Sequence, residues 1–156
     1  MGTLKRILLV EDDANDIELT LTALSEHNIV NEVVIARDGV EALDYLYRRG
    51  SFARHPSGTP VVILLDLKMP RLDGIQFLRQ LRADEKMRLI PVVILTSSRE
   101  SQDLEECYRF GVNAYVVKPV RFSEFVEAVK QIGMFWAMIN EPPVDGTQGQ
   151  SGQKED

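Results

Sequence analysis

The chain has 156 residues, 44% of them hydrophobic and 27% charged, with a formal net charge of −6 and a sequence pI near 5.0. That length suits one domain with a sizeable core, and the acidity argues against binding nucleic acid through a basic surface. The single cysteine, Cys107, excludes an intrachain disulfide and, with no Cys/His cluster around it, a zinc site; it reads as a packing residue. No apolar stretch approaches membrane-spanning length, and the opening residues are too short for a signal peptide, so a cytoplasmic protein with no membrane partner is expected.

Ile7–Val10 is an unbroken apolar run, the pattern of a strand covered on both faces, and Glu11, Asp12 and Asp13 end it. Asn15 or Asp16 is then placed to cap a helix with Ile17, Leu21 and Leu24 at helical spacing. Val33–Ala36 is a second strand. Asp38-Gly39 opens a helix expected to turn Val40, Leu43 and Leu46 or Tyr47 inward. Gly50 to Pro60 reads as a loop. Val61–Leu65 is the strongest buried strand and ends at Asp66. Beyond Pro70 and Gly74, Phe77, Leu78 and Leu81 mark a third helix. Val92–Leu95 is a strand ending at Thr96, and Ser101 is expected to cap a helix around Leu104 to Phe110. Tyr115–Val117 is a fifth strand, ending at Lys118-Pro119. Ser123 is expected to cap a last helix through Phe125, Val129 and Ile132.

Five strands alternating with five helices predict an α/β fold, a doubly wound five-stranded parallel sheet with helices on both faces. Residues 140–156 are rich in Gly, Gln, Ser, Pro and charge and read as a disordered tail.

In such a sheet ligands bind beyond the carboxyl ends of the strands. Those ends carry Glu11-Asp12-Asp13, Asp66, Thr96 and Lys118. Alone, each has an ordinary explanation as a turn, cap or surface residue. Together they bring carboxylates from two strands to one rim, where they repel unless a cation lies between them. All-oxygen ligands suit Mg²⁺ better than zinc or calcium. A carboxylate can attack phosphorus to form an acyl phosphate, while a metal, an ammonium and a hydroxyl neutralise the transferring group. Asp66, alone at the end of the central strand, is the nucleophile candidate; Asp12, with Glu11, is better placed for the metal.

The segments LLVEDD (8–13), LLDLKMPRLDG (64–74), LTSS (95–98) and YVVKP (115–119) resemble the CheY-like receiver domain of two-component response regulators, with its flavodoxin-like fold, over residues 5–139. The resemblance implies phosphorylation of Asp66 by a histidine kinase, without the chain being an enzyme in its own right. It also implies Mg²⁺ held by Glu11, Asp12, Asp66 and the backbone carbonyl of Lys68. Lys118 would contact the phosphoryl group, Thr96 and Tyr115 would form the switch pair, and the bond before Pro119 would be cis. Glu11 departs from the Asp common at its position, and Lys68 and Ser98 are expected to tune the acyl-phosphate lifetime.

No room is expected after the last helix for an output domain, so the signal should pass by protein contact. The run from Ile132 to Ile139 is apolar nearly all round, more than one sheet-facing stripe requires. Phe135 and Trp136 are therefore expected at a homodimer interface. FWAMINEPP (135–143), EDD (11–13) and the long 50–60 loop resemble regulators paired with phytochrome histidine kinases. That implies a bacteriophytochrome as phosphodonor and a dimer through the fourth helix, fifth strand, fifth helix and C-terminal extension. Two other classes compete. A haloacid-dehalogenase-type phosphatase needs an acidic residue where Lys68 stands. A flavodoxin-like module binding phosphate or flavin needs a Ser/Thr/Gly loop where this chain is acidic.

Overall fold

A computed structural model of the chain describes residues 6–26, 32–56, 58–118 and 123. In chain order it contains β1 (Arg6–Val10), α1 (Ala14–Glu26), β2 (Glu32–Ala36), α2 (Gly39–Tyr47), β3 (Val62–Leu65), α3 (Gly74–Ala83), β4 (Val92–Thr96), α4 (Ser101–Arg109) and β5 (Ala114–Val117). The strands form one parallel sheet in the order β2-β1-β3-β4-β5. This is the expected doubly wound α/β architecture. The fifth helix, residues Pro119, Phe135 and Trp136, and the 140–156 tail lie outside the described residues.

Strand composition explains why the sheet is covered on both faces. Alternate residues of each strand enter two separate cores. Leu8, Val10, Val34, Ile63, Leu65 and Ile94 pack with Ala42, Tyr45 and Leu46 of α2, with Phe77, Leu78 and Leu81 of α3, and with Cys107 of α4. Ile7, Leu9, Val62, Leu64, Val93, Leu95 and Val116 pack on the other side with Ile17 and Leu24 of α1. Cys107 is fully buried, as a packing residue should be, and burial pushes its thiol up to about 12.

Two helix-cap expectations are corrected, and two other local expectations are sharpened. Asp13, not Asn15 or Asp16, caps α1: its Oδ1 accepts from the Asp16 amide at 3.0 Å. Asp16 is freed for another role. Ser101 is the first residue of α4, and Glu100 occupies the cap position with no side-chain bond. In α2 Leu43 and Leu46 are buried as expected, Tyr47, the alternative to Leu46, is 41% exposed, and the inward aromatic is the unforeseen Tyr45, fully buried. The 50–60 segment holds a 3-10 turn at Gly50–Phe52, and the Phe52 and His55 rings pack edge-on against Tyr45 at 5.4 and 5.1 Å. Arg48 pins it by donating to the carbonyls of Pro56 and Gly58.

The start of α3 is the tightest junction. Asp73 and Gln76 form a capping box, each side chain bonding the other's backbone amide. A Cβ on Gly74 would stand 2.4 Å from the Asp66 carbonyl oxygen and 2.7 Å from Leu67 Cα. Only glycine lets the helix start so close to the end of β3.

Candidate functional site

The sheet order places β1 between β2 and β3, so successive connections leave β1 in opposite directions and open a crevice beyond the carboxyl ends of β1 and β3. The ladder carries the side chains there. Val10 pairs with Leu65, which makes Glu11 and Asp66 neighbours, and the Asp66 amide donates to the Val10 carbonyl at 3.0 Å. The Glu11 amide donates to Ala36 at 2.9 Å, and the Lys118 amide to Thr96 at 2.9 Å. Each residue is thus fixed by a backbone bond one step past its strand.

Carboxylate oxygens of Glu11, Asp12 and Asp66 lie within 4.8 Å of one another, with Glu11 and Asp66 buried and Asp12 exposed. Lys118 reaches into this group. Its Nζ donates to Glu11 Oε1 at 2.5 Å and Asp16 Oδ2 at 2.7 Å, and stands 3.8 Å from Asp66 Oδ1. Burial raises the Glu11 carboxyl to about 7, against the Lys118 hydrogen bond and with help from neighbouring Asp66. Burial also raises Asp66, against Lys118, a hydrogen bond with the Thr96 side chain and the Leu67 amide. Lys118 is held above the usual lysine range: burial opposes its charge, but the Asp16 and Glu11 hydrogen bonds and the Asp66 charge outweigh it. One ammonium cannot neutralise four carboxylates, and the excess negative charge in a half-buried, all-oxygen site fits a hard divalent cation.

Thr96, fully buried, accepts at Oγ1 from the Ser98 amide at 3.3 Å. Tyr115, half-buried, donates its hydroxyl to the Ser98 carbonyl at 3.1 Å. Thr96 and Tyr115 are therefore joined through Ser98. The Ser98 hydroxyl in turn donates to Asp103 Oδ2 at 2.6 Å, and the exposed Lys68 ammonium lies 3.6 Å from the same oxygen.

The structure thus gathers Glu11, Asp12, Asp66, Thr96 and Lys118 at one rim, with Lys68 and Tyr115 at its edge. Sequence reasoning missed Asp16 and Asp103. Asp16 carried a signal, a carboxylate in the first helical turn beyond the acidic strand end, but it was absorbed into a capping role. Asp103 carried none, since nothing in its sequence position points to a loop five residues back.

A family model described as the response regulator receiver domain matches residues 7–130. The chain belongs to the response regulator receiver family. Among curated relatives, the receiver is 36% identical over 132 residues to "Response regulator Rcp1" of Synechocystis sp., covering 85% of this chain and 88% of the relative. Among solved structures, the bacteriophytochrome response regulator AtBRR is 55% identical with a TM-score of 0.81, over 90% of this chain and all of that one. The phosphorylated cyanobacterial phytochrome response regulator RcpA is 38% identical with a TM-score of 0.72, over 86% and 95%. An Mn²⁺-bound form of Rcp1 is 34% identical with a TM-score of 0.71, over 90% and 99%. The receiver is accordingly a signalling protein homologous to phytochrome response regulators. Neither the phosphatase nor the flavin-module alternative is favoured. The manganese-bound relative agrees with the divalent-cation fit of the carboxylate cluster. Among the described residues no helix is long and apolar enough to cross a membrane.

Proposed function

We propose that Asp66 accepts a phosphoryl group from a histidine kinase, with Mg²⁺ as the metal, in a domain spanning 5–139 and followed by a disordered tail, 140–156. The observation that carries this is the position of Asp66: nearly buried at the end of β3, grouped with Glu11 and Asp12, and 3.8 Å from the Lys118 ammonium. Glu11, Asp12, Asp66 and the Lys68 backbone carbonyl would hold the metal. Bound there, it supplies positive charge that offsets the phosphoryl oxygens.

An Asp66 oxygen attacks phosphorus; the bond to the kinase imidazole breaks and an acyl phosphate remains. Lys118 and Thr96 then bond the new phosphoryl oxygens. Water later cleaves the acyl phosphate, returning the carboxylate and inorganic phosphate. The modification adds roughly −1.5 to −2 charges. Thr96 is drawn toward them, and through Ser98 the Tyr115 side chain changes position. The face around α4 and β5 then changes its affinity for partners by a population shift.

The names of AtBRR, RcpA and Rcp1's structural kin support a phytochrome-type kinase as donor, acting in the cytoplasm. The apolar run containing Phe135 and Trp136 supports a homodimer through the fourth helix, fifth strand and fifth helix. A small-molecule phosphodonor with Mg²⁺ tests the core reading by intact mass. One added phosphoryl in wild type and none in Asp66→Asn is expected; no gain in wild type, or a gain that survives the substitution, rejects it. Transfer from a purified bacteriophytochrome kinase tests the donor. Sedimentation of wild type against Phe135→Ala/Trp136→Ala tests the dimer, which fails if wild type is monomeric.

A further inference from the structure

Lys118 has three acidic neighbours, and the two it bonds at hydrogen-bonding distance are Glu11 and Asp16; the proposed acceptor, Asp66, is the farthest. Asp16 belongs to none of the strand ends. It sits in the first turn of α1, its own amide bonded to the Asp13 cap, with its side chain one-third exposed. The Lys118 side chain is 13% exposed and the Glu11 side chain 3%. Without a cation, Lys118 therefore pairs with the carboxylate of Glu11, one of the three groups that could hold a divalent ion.

This arrangement poses a competition. A cation drawn to Glu11 competes with Lys118 for its carboxylate, and a largely buried ammonium is costly to leave unpaired. Asp16 removes that penalty, because its oxygen stays bonded to Nζ when Glu11 is given up. It also fixes where the ammonium waits, on the α1 side of the crevice and within a short swing of Asp66.

We propose that Asp16 is a positioning residue for Lys118: it holds the ammonium when Glu11 turns to the metal, and so sets how readily metal enters and where Lys118 stands for transfer. This deepens the function proposed above and rests on it. Without Asp16, Lys118 has only Glu11 and Asp66 to pair with, so it competes with the cation for the ligands themselves. Metal binding then weakens and phosphoryl transfer slows, although Asp16 touches neither metal nor phosphorus.

Isothermal titration with Mg²⁺ on the full chain would compare wild type, Asp16→Asn, Lys118→Met and the double variant. NMR of the lysine ammonium groups would follow Lys118 in the metal-free protein, and circular dichroism would follow folding. The expected result is a Kd about fivefold higher in Asp16→Asn, the scale of one partly buried ion pair. Little further change should follow when Asp16→Asn is added to Lys118→Met. In metal-free Asp16→Asn the Lys118 ammonium resonance should shift or exchange faster, and Asp16→Glu should restore most of the affinity. An equal loss in both backgrounds means that Asp16 acts by its charge alone and overturns the proposal. So do an unchanged Kd, an unchanged ammonium resonance, or an affinity loss explained by lost helicity in Asp16→Asn. Absence of metal binding and of phosphodonor labelling in wild type would instead reject the underlying function, and the positioning role with it.

Discussion

Arg71 adopts a left-handed backbone, φ 63°, and donates from Nε to Asp38 Oδ2 at 2.7 Å, tying the loop after β3 to the cap of α2. The other oxygen of Asp38 accepts from the Glu41 amide at 2.9 Å, and Gly39 donates its own amide to Leu72 at 2.9 Å. The loop that carries Lys68 is therefore fastened twice to the start of α2. Burial disfavours the Asp38 charge, yet the Arg71 and Glu41 bonds hold its carboxyl below the ordinary 3.8. Asp38→Ala should cost about 1 kcal/mol or more from the lost cap alone. Because the folded-state pKa is depressed, this stabilisation is complete above 3.8 and fades as pH falls through the lower folded value. Chemical denaturation across that range should show the gap between wild type and variant closing in acid and flat near neutrality.

Gly74→Ala should disturb site and fold together. The added methyl meets backbone atoms of Asp66 and Leu67, which cannot rotate aside. A destabilisation of about 1–3 kcal/mol is expected, with slower labelling of Asp66 by a phosphodonor; Ile75→Ala, one residue on, should leave the labelling rate near wild type.

Divalent metal should stabilise the receiver by relieving repulsion among Glu11, Asp12 and Asp66. At a hundredfold excess over Kd the gain is about 2.7 kcal/mol, read as a rise in Tm that chelation reverses. Asp12→Asn removes the exposed ligand and should abolish most of the shift. An equal Tm rise in this variant would place the ion elsewhere.

Tyr45 is fully buried, and its hydroxyl finds no hydrogen-bond partner among the described residues. Its ring, by contrast, is held between Phe52, His55 and the Arg48 guanidinium at 4.3 Å. Tyr45→Phe should thus be neutral or stabilising by up to about 1 kcal/mol, whereas Tyr45→Ala should cost about 3–5 kcal/mol. Urea titration of both separates the ring from its oxygen.

With its thiol near 12, Cys107 carries almost no thiolate at pH 8. Thiol reagents should leave the native protein unmodified for hours and react at once in denaturant. Rapid native modification would mean that α4 opens away from the sheet.

The strands and the gathering of the candidate site residues were legible in the sequence because parallel strands are unbroken apolar runs and because ligands of such sheets bind where those runs stop. Asp66 and Lys118 stood out only jointly, as strand-end residues of one sheet together with Glu11, Asp12 and Thr96. Helix caps were less legible: three acidic residues precede α1, and only the backbone decides that Asp13 accepts the amide while Asp16 turns to Lys118. Tyr45 was hidden because Tyr47 is equally aromatic, and the 52–55 loop that covers one and not the other has no periodicity to reveal it. Links such as Lys68 to Asp103 span separate elements, and their sequence spacing carries no trace of the contact.

The two ends of the sheet differ in how they are fastened. At the end opposite the carboxylates, Arg82 donates to four carbonyls, those of Phe110, Arg88, Ile90 and Gly111, at 2.7–3.1 Å. These are bonds to backbone that no change of charge in the crevice can outbid. The carboxylate end carries, beside its backbone bonds, side-chain pairs that share partners: Lys118 faces Glu11, Asp16 and Asp66, and Asp103 Oδ2 faces both Ser98 and Lys68. The connection from α4 to β5 is thus anchored on neutral backbone acceptors at one end of the sheet, while at the other the balance of side-chain charge decides which partners meet.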